Sequence, residues 1–193
     1  MREIVFLLEE FSAGAMLESL LPRLLKDGTE HRFIPFQGKQ DLEKQLVRKI
    51  RSYQKERVRF IVLRDQDSHP DCEKVKNGLL ELCDQSGKAG KCRVRIACKE
   101  LEAFYLADLS AVEKALGIRG ISQRQQSRKF RSPDEQDNPS RLLQSLTENK
   151  YKKIAGSRAI GQHLDMKNQR SSSFRNLVAA IVELEKELIA EGP

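Results

Sequence analysis

The stretch Arg59–Cys72, RFIVLRDQDSHPDC, decides the fold. Its apolar run, Phe60 to Leu63, stops abruptly and is followed by two aspartates, Asp65 and Asp67, separated by one residue. A short continuous apolar run closed by a turn-rich tail is the pattern of a strand covered on both faces, as in a parallel sheet. EIVFLL (3–8) repeats the pattern and ends in Glu9 and Glu10. HRFIPF (31–36) reads as another strand, and Pro35 places it at a sheet edge or marks a strand end. CRVRIA (92–97) alternates, which predicts a strand with one exposed face.

Helical segments separate these strands. AGAMLESLLPRLLKDG (13–28) follows Ser12, a helix-capping residue, and is broken at Pro22. QDLEKQLVRKIRSYQ (40–54) carries a helical stripe of Leu42, Leu46, Val47 and Ile50. CEKVKNGLLELCDQSG (72–87) is a third helix ending at Gly87. Strand and helix in alternation mean right-handed βαβ units, so the expected class is α/β: a Rossmann-like parallel sheet of about four strands with flanking helices. After Cys98 the character changes to short helices, a polar segment at 118–140, and helices near 139–147, 157–164 and 173–190. The expected organisation is an α/β core over 1–108 with a helical elaboration over 109–193 packing on it, a single domain overall.

With 193 residues, 39% hydrophobic and 33% charged, the chain suits one soluble domain with a real core. The net charge of +7 favours polyanionic partners, nucleic acid first, although the same charge also serves solubility. Trp is absent and aromatics make up 6%, which argues against a binding face built of stacked rings. No apolar run reaches the roughly 18–20 residues of a membrane span, and the N-terminal run is too short for a signal peptide. The four cysteines show no CxxC spacing. A reduced, cytoplasmic protein without structural zinc is expected.

In parallel sheets, sites form beyond the carboxyl ends of the strands. Glu9, Asp65 and Asp67 stand there. Residues i and i+2 of an extended segment face one way, so Asp65 and Asp67 are expected to share a face toward Glu9 while Gln66 points elsewhere. Crowded carboxylates stay ionised only around a cation, and a hard, all-oxygen donor set suits Mg²⁺ or Mn²⁺. The alternative is that the two aspartates merely form a turn. His69, two residues beyond, is either a further ligand or an exposed loop residue.

EIVFLLEE (3–10) and VLRDQDS (62–68), with their Glu after the first strand and DxD after the third, resemble the Toprim (topoisomerase–primase) domain. FQGKQDLEKQL (36–46), CKELEAFYLAD (98–108), GSRAIGQHLD (156–165) and RSSSF (170–174) extend the likeness to a Toprim-like family of small bacterial proteins, similar to the nuclease domains of overcoming-lysogenization-defect proteins. The resemblance implies a Mg²⁺-dependent nuclease acting on DNA or RNA, an effector of anti-phage defence coupled to a partner ATPase. It assigns Glu9, Asp65 and Asp67 to the metal. Glu10 stands where most Toprim domains have Gly, and Ala13 where many nuclease relatives carry a second acid. Glu100 and Glu102 either complete the metal site or form the acidic first turn of the helix that follows.

Relatives place a basic residue before GS to offset phosphoryl-transfer charge, which implies Lys153, ahead of Lys150 and Lys152. Gly156 and Ser157 would offer backbone N–H groups to a phosphate. Lys150, Lys152 and Arg158, with Arg128 and Lys129 in a second cluster that includes Arg119, Arg124 and Arg131, would grip phosphates without reading sequence, or would simply solvate loops. Phe104 and Tyr105 read as core and Asp108 as a helix cap. A second reading is a non-catalytic regulatory or assembly subunit with a vestigial site. Its C-terminal stripe of Phe174, Leu177, Val178, Ile181, Leu184 and Leu188 would dock a partner or a second copy as a homodimer, or pack on its own sheet.

Overall fold

The computed structural model describes residues 1–26 and 28–192; Asp27, inside the first expected helical segment, and Pro193 lie outside the described residues. Strands β1 (Arg2–Leu8), β2 (Thr29–Pro35), β3 (Val58–Asp65) and β4 (Cys92–Ala97) form one parallel sheet in the order β2-β1-β3-β4. The α/β class is therefore as expected, and Pro35 closes an edge strand, where its missing N–H costs no ladder bond. The chain leaves β1 toward β2 on one side and returns to β3 on the other, so the carboxyl ends of β1 and β3 flank a topological switch point. Leu8 lies opposite Leu63 in register, so Glu9, one residue on, and Asp65, two residues on, leave the sheet together.

The alternation of side chains divides the core. Ile4, Phe6, Leu8, Ile61 and Leu63 face one layer that includes α1 (Phe11–Leu20) and α8 (Ser172–Ala190). Val5, Leu7, Phe60 and Val62 face the other, made by α2 (Lys39–Arg51) and α3 (Cys72–Gln85). Phe174, Leu177, Ile181, Leu184 and Leu188 of α8 are fully buried, so this stripe is used inside the molecule and is not a docking face.

Two local expectations are corrected. The polar face of β4 is only partly open to solvent: Arg93 pairs with Glu187 at 2.5 Å and Arg95 donates to the Asn176 carbonyl at 2.9 Å, both on α8. Alternation reports a polar face, and here a helix carrying acids partly covers it. Ser12 is not the cap of α1, which begins at Phe11 after Glu10; its hydroxyl donates to the Glu10 carboxylate instead. Pro22 does end α1, at Leu20, and opens a single 3₁₀ turn over Leu21–Arg23.

Beyond β4 the chain forms α4 (Glu102–Leu106), α5 (Leu109–Leu116), α6 (Pro139–Leu146) and α7 (Lys153–Gly161). Asp108 caps α5, accepting from Ala111 N–H at 3.1 Å. The polar 118–138 segment winds through short 3₁₀ turns that bury Gln125 and Phe130. α7 lies directly on α1: a Cβ at Gly161 would stand 2.5 Å from the Met16 carbonyl oxygen, so only glycine permits this approach. Arg158 pairs with Glu18 across the same contact. Arg23 then clamps the end of α7, donating to the carbonyls of Gly161, Gln162 and Leu164 at 3.2, 2.9 and 2.7 Å, where a cation suits a helix C-terminus. No helix of the described residues is long and apolar enough to cross a membrane.

Candidate functional site

The site begins at the switch point. Glu9 Oε2 accepts the Asp65 N–H at 2.9 Å and lies 3.9 Å from Arg64 Nε. Burial raises the Glu9 carboxyl, and the charges of Asp67 and Glu10 add to it, opposed by that hydrogen bond and by Arg64. Asp65, 8% exposed, is pushed well above the usual carboxylate range by burial and by the charges of Glu10, Glu102 and Glu9; one hydrogen bond from the Leu101 backbone offsets this only in part.

Glu102 enters from α4 and is 1% exposed. Its Oε1 accepts the Tyr151 hydroxyl at 2.9 Å, while Oε2 is buried with no partner. Burial raises its carboxyl, against the opposing charge of Lys153 and the Tyr151 hydrogen bond. Lys153, the first residue of α7, sets its ammonium 2.5 Å from Glu10. Burial works against that charge, yet Glu10, Glu102 and Asp65 hold its pKa above the ordinary lysine value. Tyr151 also meets Ser157 Oγ at 3.1 Å, and a Cβ at Gly156 would fall 2.5 Å from its ring, so glycine there lets the tyrosine reach Glu102. The result is a knot of four carboxylates, Glu9, Glu10, Asp65 and Glu102, with Lys153 as its ammonium.

Asp67 does not repeat Asp65. β3 ends at Asp65, and Asp67 has φ of 56°, in the left-handed region. Strand alternation therefore does not extend to it, and the shared face expected of the pair is not formed. Its N–H donates to the Lys99 carbonyl at 2.7 Å, and its carboxylate pairs with Lys39 at 3.1 Å. Glu100 Oε2 accepts the Ser140 N–H at 2.7 Å in the first turn of α6. Asp67 and Glu100 line an adjoining cleft of about 580 Å³ together with Lys39, Lys99 and Asn138. Among the described residues, no three His, Cys, Asp or Glu side chains are arranged as the ligands of one metal ion. His69 is exposed and its Nδ1 accepts the Asp71 N–H at 3.1 Å.

Of the expected basic residues, only Lys153 reaches the carboxylates. Lys150, Lys152, Arg128 and Lys129 are exposed, and Arg158 is turned to Glu18. Gly156 and Ser157 do not present free N–H groups to a phosphate: both are buried inside α7, and the Gly156 N–H donates to Lys152 O at 2.5 Å. The free N–H groups of a helix belong to its first turn, here Lys153–Ala155. Sequence reasoning missed Glu10 and Tyr151 as members of the site. The doubled acid at the end of the first strand was a signal for Glu10; Tyr151 had only its place two residues before Lys153.

No curated protein matches the chain. Among solved structures it is similar to the C-terminal region of the Burkholderia pseudomallei OLD protein, with a TM-score of 0.53 and 18% identity over 97% of this chain and 98% of that one. At that identity the likeness speaks for the fold alone, the four-stranded parallel α/β sheet with its flanking helices. Residues 8–182 match the family described as Domain of unknown function (DUF4276), a span that takes in every residue of the carboxylate knot, and the chain belongs to that family.

Proposed function

We propose that the chain is a metal-dependent phosphodiesterase acting on nucleic acid. The observation that carries this reading is the meeting of Glu9, Glu10, Asp65 and Glu102 with Lys153 at the sheet's switch point. The donor set fits a hard divalent cation: it is all oxygen, its charges repel, and Glu102 Oε2 is buried without a partner. Mg²⁺ or Mn²⁺ held by Glu9, Asp65 and Glu102, with Asp67 and Glu100 beside them, would polarise a phosphate and acidify a bound water. Lys153 sets a preorganised positive charge where phosphoryl oxygens gain negative charge. Glu102, held at Oε1 by the Tyr151 hydroxyl, would present its unpartnered Oε2 to the ion. Exposed Lys150, Lys152, Arg128 and Lys129 grip flanking phosphates.

A second reading, a non-catalytic subunit, is favoured by one observation: no three acids, histidines or cysteines among the described residues are arranged around one ion. Calorimetric titration with Mn²⁺, paired with cleavage of labelled DNA and RNA, separates the two. The phosphodiesterase reading expects binding and metal-dependent cleavage, both lost in Asp65→Asn with the fold intact. A wild-type chain that takes up no Mn²⁺ supports the second reading.

We extend the first reading to an effector of anti-phage defence governed by an ATPase. Its support is the resemblance in sequence, together with likeness to one region of a larger protein. Recovery of the chain from phage-infected cells without any ATPase attached would count against it.

A further inference from the structure

Composition argued against a binding face of stacked rings, yet one ring stands in an unusual place. Of the eight phenylalanines and three tyrosines, Phe11 alone is exposed among the described residues, at 55%. Ile154 is exposed at 52%. Each directly follows a residue of the knot: Phe11 follows Glu10 and Ile154 follows Lys153. Glu10 and Lys153 are joined at 2.5 Å, so the two apolar side chains flank that ion pair at the opening turns of α1 and α7. First helical turns ordinarily carry polar or acidic residues, so an exposed Phe and an exposed Ile there are not explained by helix formation.

The surroundings narrow what covers them. Lys150 and Lys152 are exposed beside this rim and have no ion-pair partner among the described residues, and the first turn of α7 has no side-chain cap. An apolar face next to free cations and next to acids that the phosphodiesterase reading gives to a metal ion matches a nucleotide, which offers a flat π-surface and a phosphate a few ångströms apart. Two side chains are too small an apolar area for a stable protein interface, which needs about 800 Å² from each partner. In a duplex the base faces are already stacked on one another, whereas a single strand presents them freely.

We propose that Phe11 is a stacking platform for the nucleobase beside the scissile phosphate, with Ile154 as its apolar flank, so that the preferred substrate is single-stranded or locally unpaired nucleic acid. The proposal rests on the phosphodiesterase reading for its substrate class. Binding in EDTA isolates it from cleavage. Wild-type chain, Phe11→Ala and Phe11→Tyr are titrated with a labelled single strand, with the same strand carrying one abasic position at each site in turn, and with the duplex. Phe11→Ala is expected to weaken single-strand binding on the order of 10-fold, the effect of removing one stacked base. Phe11→Tyr keeps it. One abasic position reproduces the loss in wild type and adds nothing in Phe11→Ala, and duplex binding does not respond to the substitution.

Single-strand affinity unchanged in Phe11→Ala, equal losses on strand and duplex, or no binding of any strand by the wild type would each overturn the proposal. So would a Phe11→Ala effect confined to self-association in sedimentation velocity, which would make the patch a protein contact. If Mn²⁺ uptake and cleavage fail while Phe11-dependent binding holds, the phosphodiesterase reading falls and the stacking site stands. If cleavage holds without any dependence on Phe11, only the stacking site falls.

Discussion

Two carboxylates buried at opposite edges of one sheet are treated in opposite ways. At the amino edge, Glu3 is 2% exposed; it accepts the Tyr53 hydroxyl at 2.5 Å and pairs with Lys55 at 3.2 Å and Arg32 at 3.4 Å. Burial pushes its carboxyl up, but those hydrogen bonds and the Lys55 charge outweigh burial and leave it lowered. Tyr53 is pushed up to about 12 in turn, by burial and by Glu3. At the carboxyl edge, burial of Asp65 is reinforced by Glu10, Glu102 and Glu9. A buried acid that serves the fold is surrounded by cations and donors, because leaving it uncompensated costs several kcal/mol. A buried acid surrounded by other acids works against the fold, and such sites point to something bound from outside.

The contrast breaks most visibly under charge removal. Asp65→Asn is expected to reduce metal-dependent cleavage below detection while leaving the unfolding midpoint unchanged or raised, since the amide relieves repulsion from Glu9, Glu10 and Glu102. Glu3→Gln should do the reverse, leaving cleavage intact and costing about 2 kcal/mol in urea unfolding, the scale of charge-assisted hydrogen bonds lost. If both variants destabilise alike, the two edges do not differ in kind.

Tyr151→Phe sharpens the comparison at the donor level. Loss of its hydrogen bond to Glu102 should lower Mn²⁺ affinity and cleavage on the order of 10- to 100-fold, with only about 1 kcal/mol lost in stability. A variant that loses stability and keeps Mn²⁺ affinity would reduce Tyr151 to packing.

Proton linkage gives the next effect, of opposite sign at the two edges. The raised Asp65 and Glu102 carboxyls hold protons in the folded state that the unfolded chain has released, so metal-free stability should fall as pH climbs from the ordinary carboxylate range through their raised values. Glu3, lowered, contributes stability above the ordinary glutamate range that is lost as pH falls through its folded value. Unfolding midpoints of Asp65→Asn and Glu3→Gln across pH should flatten the alkaline and acid limbs respectively. The smallest effect expected is in salt dependence: Lys150→Ala and Lys152→Ala should each reduce the slope of log affinity against log salt by about one, uniformly across sequences.

Much of this is legible in the amino-acid sequence. Continuous apolar runs such as Phe60–Leu63 announce strands buried on both faces, and the rule that parallel sheets gather sites at their carboxyl ends singles out Glu9 and Asp65. Asp67 escaped because its conformation is set by a partner loop: the left-handed turn is held by the bond to Lys99, itself at φ of 62°. Glu10 escaped because it gains its role only where α7 lands on α1, and Tyr151 because its hydroxyl meets Glu102 on α4, both contacts between segments far apart in sequence. Arg93 and Arg95 show the limit of periodicity, which reports a polar face without saying whether water or an acidic helix meets it.

The seating of α7 on α1 through Gly161 has a consequence for how the protein can be cut down. A fragment ending after β4 retains the four strands and both aspartates, Asp65 and Asp67, but it lacks Glu102 and the helix α8 that buries one face of the sheet. It would have left its counter-charge behind, because Lys153 is carried by a helix anchored to α1 rather than to the sheet. The shortest piece worth transplanting into another scaffold therefore runs past Leu164, where Arg23 takes its last grip, to the end of α8, which covers the sheet.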